Sequence, residues 1–144
     1  MRSFSSRAVG VIGGSLLLGI GLVVAARSCG TADASLAGVW HGYGAMPPGG
    51  GEDPRLARNI AGVTLTLTAD GRFQLVDGGL PLAGQWRRKD DAILFDVETL
   101  MNRPIGTQPG QARTAIGALS GKVTPGALIY HSLAGEDVRL TRQP

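Results

Sequence analysis

Two histidines, one cysteine and a few paired acids are the residues of this chain with a chemical repertoire, and their spacing argues against using it. A metal site needs three or four converging ligands. His41 and His131 have no H-x-H, H-x-x-H or cysteine pair beside them. His41 follows Trp40, so on a strand it points to the opposite, outer face. Ser132 adjoins His131, but strand neighbours face opposite ways and cannot form a proton relay. No G-x-S-x-G is present. Asp96 and Glu98 share an outward face, while Asp90-Asp91 and Glu136-Asp137 fall at turns. Catalysis by paired carboxylates needs a cleft between them, and these read as solvated charges. Gly49-Gly50-Gly51 lacks the G-K-[ST] that would complete a phosphate loop. The expectation is a non-enzyme with no catalytic residue, no metal and no cofactor.

The formal charge of +3 and a pI near 9.6 suggest a nucleic-acid partner until the charges are located. Arg2, Arg7 and Arg27 lie in the first 28 residues, which hold no acid, and the remainder carries 11 basic and 11 acidic residues. Phosphate-backbone binding needs a clustered positive excess, so no nucleic-acid partner is expected. Arg87-Arg88-Lys89 is the one basic run, set against Asp90-Asp91. It reads as a polar hairpin end, with contact to anionic headgroups as the alternative.

The charge excess belongs to a leader. MRSFSSR precedes an uncharged stretch over 8–26, whose nineteen residues nearly span a hydrocarbon core of about 30 Å as a helix. Three fates stay open. Ala26-Arg27-Ser28-Cys29 resembles a bacterial lipoprotein box with Cys29 as the lipidated residue, although Arg27 departs from that pattern. Thr31-Ala32-Asp33-Ala34 offers an A-x-A cleavage site ahead of Ser35. An uncleaved anchor would keep its Arg2/Arg7 end in the cytoplasm. Each places the domain over 35–144 outside the cytoplasm, anchored on or released from the periplasmic or extracellular side of a bacterial membrane. The leader occupies 1–34.

Beyond residue 35 the dominant period is 2. Val63, Leu65 and Leu67 alternate with Thr64, Thr66 and Thr68; Ala69-Asp70-Gly71-Arg72 then turns the chain into RFQLV, a hairpin. LAGQWRRK and AILFDVE flank Asp90-Asp91 as a second hairpin. ARTAIGALSG, PGALIYHSL and EDVRLTR read as three more strands, and GVWHGYG as the first. The prediction is an all-β, antiparallel up-and-down meander of about eight strands. Such a meander tends to close into a barrel that removes its unpaired edges. Two long loops, 45–59 and 100–111, interrupt it, and the Pro-Pro and Gly run of the first predicts no regular structure there. The inward set is Trp40; Val63, Leu65 and Leu67; Phe73 and Leu75; Leu82 and Trp86; Ile93, Phe95 and Val97; Leu119; Leu128 and Tyr130; Val138 and Leu140. These side chains fill much of an eight-stranded interior.

Both tryptophans stand in a repeated pentapeptide, Leu36-Ala37-Gly38-Val39-Trp40 and Leu82-Ala83-Gly84-Gln85-Trp86. Residues i and i+2 share a face, so each glycine lies beside an indole and is expected to leave room for it. Gly38-x-Trp40, then Leu65-x-Leu67-x-x-Asp70-Gly71-x-Phe73, then Gly84-x-Trp86, resembles the small lipocalin-like domains of bacterial envelope proteins, over residues 36 to 98. The resemblance implies binding of a small apolar ligand or an envelope partner. The competing expectation is a structural or interaction module with a filled barrel and no ligand. Candidate ligand-binding residues are Trp40, Trp86 and Tyr130, with Arg55 and Arg58 of the first long loop facing an anionic group as that loop closes over the mouth.

Overall fold

A computed structural model describes residues 32–46 and 53–144. Leader residues 1–31, Cys29 among them, and the Pro-Pro-Gly stretch of the first long loop lie outside the described residues. A 3-10 turn over Ala34–Leu36 leads into β1 (Gly38–Tyr43), and α1 (Pro54–Ala61) joins this to β2 (Gly62–Leu67). Then follow β3 (Arg72–Asp77), β4 (Leu80–Lys89), β5 (Ala92–Leu100), the two-residue β6 (Arg103–Pro104) and a second 3-10 turn (Ile105–Thr107). α2 (Gly110–Gly117), β7 (Ser120–Thr124), β8 (Ala127–His131) and β9 (Asp137–Arg142) complete the chain.

Every strand pairing is antiparallel. The sheet runs β4-β3-β2-β1-β9-β8-β7-β5, and β4 also pairs with β5, so eight strands close into a ring with β6 appended to β5. This is the up-and-down barrel implied by the period-2 pattern. Alternating connections divide its ends. The 3-10 turn, the turns at 68–71, 90–91 and 125–126, and the C-terminus share one end, called here the plugged end. The segment bearing α1, the Gly78-Gly79 turn, the 101–119 segment and the 132–136 loop share the other, the α1 end.

The interior is filled by alternation. β2 buries Val63, Leu65 and Leu67, β3 buries Phe73 and Leu75, and β9 buries Val138 and Leu140. Leu75, Ile93 and Leu140 have no exposed surface at all. The expected inward residues are all buried except Phe95, which is half-buried and meets Phe73 edge-on at 4.9 Å between ring centres. Leu36, Ala57, Ala61, Ile116 and Ala127 are also buried and were not among them.

Two elements depart from the sequence reading. The first loop is not wholly irregular: α1 begins at Pro54, with the Asp53 carboxylate accepting from the amides of Arg55 at 2.8 Å and Leu56 at 3.4 Å. An acidic N-cap followed by Pro at N1 is a strong helix start. Ala57 and Ala61, one turn apart, bury its narrow inner stripe. ARTAIGALSG is not a strand either: its first half is α2, which buries Ile116, and the sixth ring strand begins only at Ser120.

The repeat's glycines also serve a different purpose from the one expected. At Gly84 the β4–β5 register shifts, and a Cβ there would collide with the Asp96 carbonyl and sit 2.9 Å from the Glu98 nitrogen. Backbone approach, not ring space, requires glycine at this bulge. Gly84→Ala should therefore cost about 2–3 kcal/mol through overpacking. Gly117→Ala, where a Cβ would meet nothing within 4 Å, should change stability by less than about 0.5 kcal/mol. Urea unfolding of both variants checks this, and equal stabilities would contradict the close-approach explanation.

Candidate functional site

The expected ligand-binding residues are not brought together; they divide between the two ends and the interior. Trp40 and Trp86 both belong to the plugged end, and both are buried. The Trp40 indole N–H donates to the Leu36 carbonyl at 3.0 Å and that of Trp86 to the Thr68 carbonyl at 3.1 Å. Each ring thus buries its apolar body while its one polar atom holds a neighbouring turn.

Arg142, at the end of β9, completes this end. Its guanidinium lies over the Trp40 ring, 5.2 Å from the centroid, and donates to the Ser35 carbonyl at 2.9 Å and to the Ala37 carbonyl. Gly38 adopts φ +147°, a conformation L side chains rarely take, and a Cβ there would lie 2.9 Å from Arg142 Nε, so the guanidinium would have to shift. On the other side of the turn, Arg88 reaches Asp33 at 2.6 Å and donates to the Asp90 carbonyl. Hydrogen bonds from Ser35, and then from Arg88, hold the Asp33 carboxyl below the usual carboxylate range. Sequence reasoning missed Arg142 and Asp33, since only barrel closure puts the last strand beside the first.

Tyr130 crosses the interior. β8 and β3 lie opposite one another in the ring, and the Tyr130 hydroxyl donates to Asp77 Oδ2 at 3.0 Å. The same carboxylate oxygen accepts from the Leu133 amide at 2.9 Å. Burial, reinforced by the Asp77 charge, raises the Tyr130 pKa, so the phenol remains a donor across the working range of pH. It is a strut between opposite walls rather than the lining of an empty cup.

The α1 end has the opposite character. Tyr43, Met46, Leu56, Ile60, Leu80 and Met101 are large, apolar and exposed there. On α1, Leu56 and Ile60 form an outward apolar row beside the buried Ala57 and Ala61, with Arg55 and Arg58 towards the remaining face. A hollow of about 430 Å³ opens between Tyr43, Gly44, Met46, Arg58 and Ala61. A second, of about 420 Å³, shares Tyr43 and Arg58 and continues over His41, Thr64 and Val76 on the outer wall. Volumes of this size accept small organic molecules. Of the five expected residues, only Arg58 lines either hollow; Tyr43 and Met46 were not anticipated. A hollow of about 450 Å³ at the plugged end is lined by Asp33, Arg88 and Asp90; there the Arg88 guanidinium is already engaged by the Asp33 carboxylate and the Asp90 backbone carbonyl.

The histidines serve local structure. His41 Nδ1 shares a hydrogen bond with Thr64 Oγ1 at 3.0 Å, and His131 Nδ1 lies 3.0 Å from Asp137. Ser132 is buried and accepts from the Glu136 amide at 3.3 Å, while His131 is exposed. Among the described residues no group of three potential metal ligands converges, and no helix is long and apolar enough to cross a membrane.

Trp40→Ala should destabilise the barrel by about 3–5 kcal/mol. Arg142→Ala should cost about 1–2 kcal/mol, given that the side chain is exposed and its hydrogen bonds are charge-assisted. Arg142→Lys should resemble Arg142→Ala, because a point ammonium cannot both stack on the indole and bridge two carbonyls. Chemical denaturation measures all three, and a lysine variant as stable as the wild type would contradict the bridging role. No family model, no curated protein and no solved structure matches this chain.

Proposed function

We propose that this is an exported, membrane-tethered, lipocalin-like binding domain, not an enzyme, that takes a small apolar molecule with an anionic head at its α1 end. The barrel interior is not the receptor in this reading. The observation that carries it is the contrast between a filled interior, crossed by the Tyr130–Asp77 bond, and the apolar hollow beside Arg58. Tyr43 and Met46 would bury the apolar body. The Arg58 guanidinium, whose Nε donates to the Pro54 carbonyl at 3.1 Å, would meet a carboxylate or sulfonate with its terminal nitrogens. Arg55, three residues earlier on the same helix face, would add to the positive charge beside that head.

A second reading has its own support. Leu56 and Ile60 are also large, apolar and exposed on α1 outside the lining of the hollow, and contiguous exposed apolar surface often marks protein contacts. In that case the domain is an interaction module of the cell envelope.

Two fluorescent probes test the first reading: anilinonaphthalene sulfonate, which is anionic, and the neutral N-phenyl-1-naphthylamine. Tyr43→Ala should weaken both by about tenfold, or about 1.4 kcal/mol. Arg58→Ala should weaken the sulfonate by a similar factor and leave the neutral probe nearly unchanged. Undiminished binding in both variants would refute the site. Failure of the wild type to bind either probe would favour the interaction module.

A further inference from the structure

The plugged end bears on how the chain is processed. One of the three leader fates cuts after Ala34, leaving Ser35 as the first residue. The folded barrel already uses what that cut removes. Asp33 caps the 3-10 turn by accepting from the Ser35 amide at 2.9 Å, and its carbonyl accepts from the Leu36 amide at 2.9 Å. The Ala34 carbonyl accepts from the Ala37 amide at 3.2 Å. Asp33 forms the 2.6 Å ion pair with Arg88, and Ala32 packs against the core.

The cut would also add a charge in the wrong place. A new Ser35 ammonium would lie in the same residue whose carbonyl accepts from the Arg142 guanidinium at 2.9 Å. Removal of Asp33 would meanwhile leave Arg88 without its carboxylate. Two like charges would be brought together and one opposite charge lost, both against the turn that carries the buried Leu36.

We infer that export processing spares Ala32, Asp33 and Ala34, so that the mature chain enters the barrel through the plugged end with its 3-10 turn intact. Resting on the tethering reading above, this fixes the orientation of the domain. Cys29 precedes Ala32 by three residues, a reach of roughly 10 Å when fully extended. β4, ten residues long, rises about 33 Å along its path. A tether at Cys29 therefore holds the plugged end near the bilayer and leaves the α1 end, with its hollow, at the far end of the barrel. The molecule or partner received there comes from the aqueous compartment and not from the membrane to which the chain is tethered.

The test is intact-mass analysis of the full-length chain exported from a bacterial host with its own leader, after separation of membrane and soluble fractions. Ala34→Arg is analysed in parallel. Ala34 is exposed on the turn, and arginine there blocks cleavage at an A-x-A site without entering the core. The expected product retains Asp33, is found with the membranes, and has the same N-terminus in the variant. A product beginning at Ser35, or accumulation of uncut precursor only in Ala34→Arg, overturns the inference. A product that retains Asp33 but is soluble upholds the processing assignment and overturns the tethering reading instead.

Discussion

Closure of the ring is the constraint from which the rest follows. Once β4 pairs with β5, eight strands leave no free edge, and every inward side chain must share one narrow interior. A chain with only 5% aromatic residues and 23 glycines has few bulky groups with which to fill it. It does so by burying aliphatic residues such as Leu65, Leu75, Ile93, Leu128 and Leu140 on inward positions and by running Tyr130 from one wall to the other. The hydroxyl–carboxylate bond is worth more in that apolar setting than on the surface. It also occupies space that a ligand inside the barrel would need.

The two ends of the filled barrel differ in what they present to solvent. At the plugged end polar groups are matched: two indole N–H groups hold turn carbonyls, Arg142 bridges the 3-10 turn, and Asp33 meets Arg88. At the α1 end the chain leaves Tyr43, Met46, Leu56 and Ile60 in water. The binding proposed for this domain rests on that exposed apolar surface. The ion pairs of Arg72 with Glu98 and of Lys122 with Asp91 lie along the walls and the plugged end, whereas at the α1 end His131 Nδ1 lies 3.0 Å from Asp137 and Glu136 accepts from the Ala45 amide.

The strands were legible because half-buried antiparallel β-structure writes its period directly into the residues: Val63 to Thr68 could hardly be anything else. The short helices were not. α1 advertises itself only through Asp53-Pro54, and its buried stripe is two alanines, too small to stand out beside a Pro-Gly run. α2 has no side-chain cap and buries only Ile116, while its Ala and Ile alternate as a strand would. The site was less legible still. The Trp40 and Trp86 pentapeptides look equivalent, yet Leu36 ends a 3-10 turn while Leu82 lies within a strand. Tyr130 was recognisable as inward-facing, but its partner Asp77 depends on which strands lie opposite one another, and local pattern does not encode that. Tyr43 and Met46 carried no signal beyond being apolar near a loop.

In the proposed function the interior is solid and recognition occurs at the α1 end. The most direct test is an NMR titration of the isotopically labelled protein with sodium laurate, which joins an apolar chain to a carboxylate. Backbone amide and methyl shifts would be followed at both locations. Saturable shifts are expected at Tyr43, Gly44, Met46, Arg58 and Ala61, with the methyl groups of Leu75, Ile93 and Leu140 unmoved. Shifts concentrated on those three interior residues, with the α1 end silent, would contradict the proposed function.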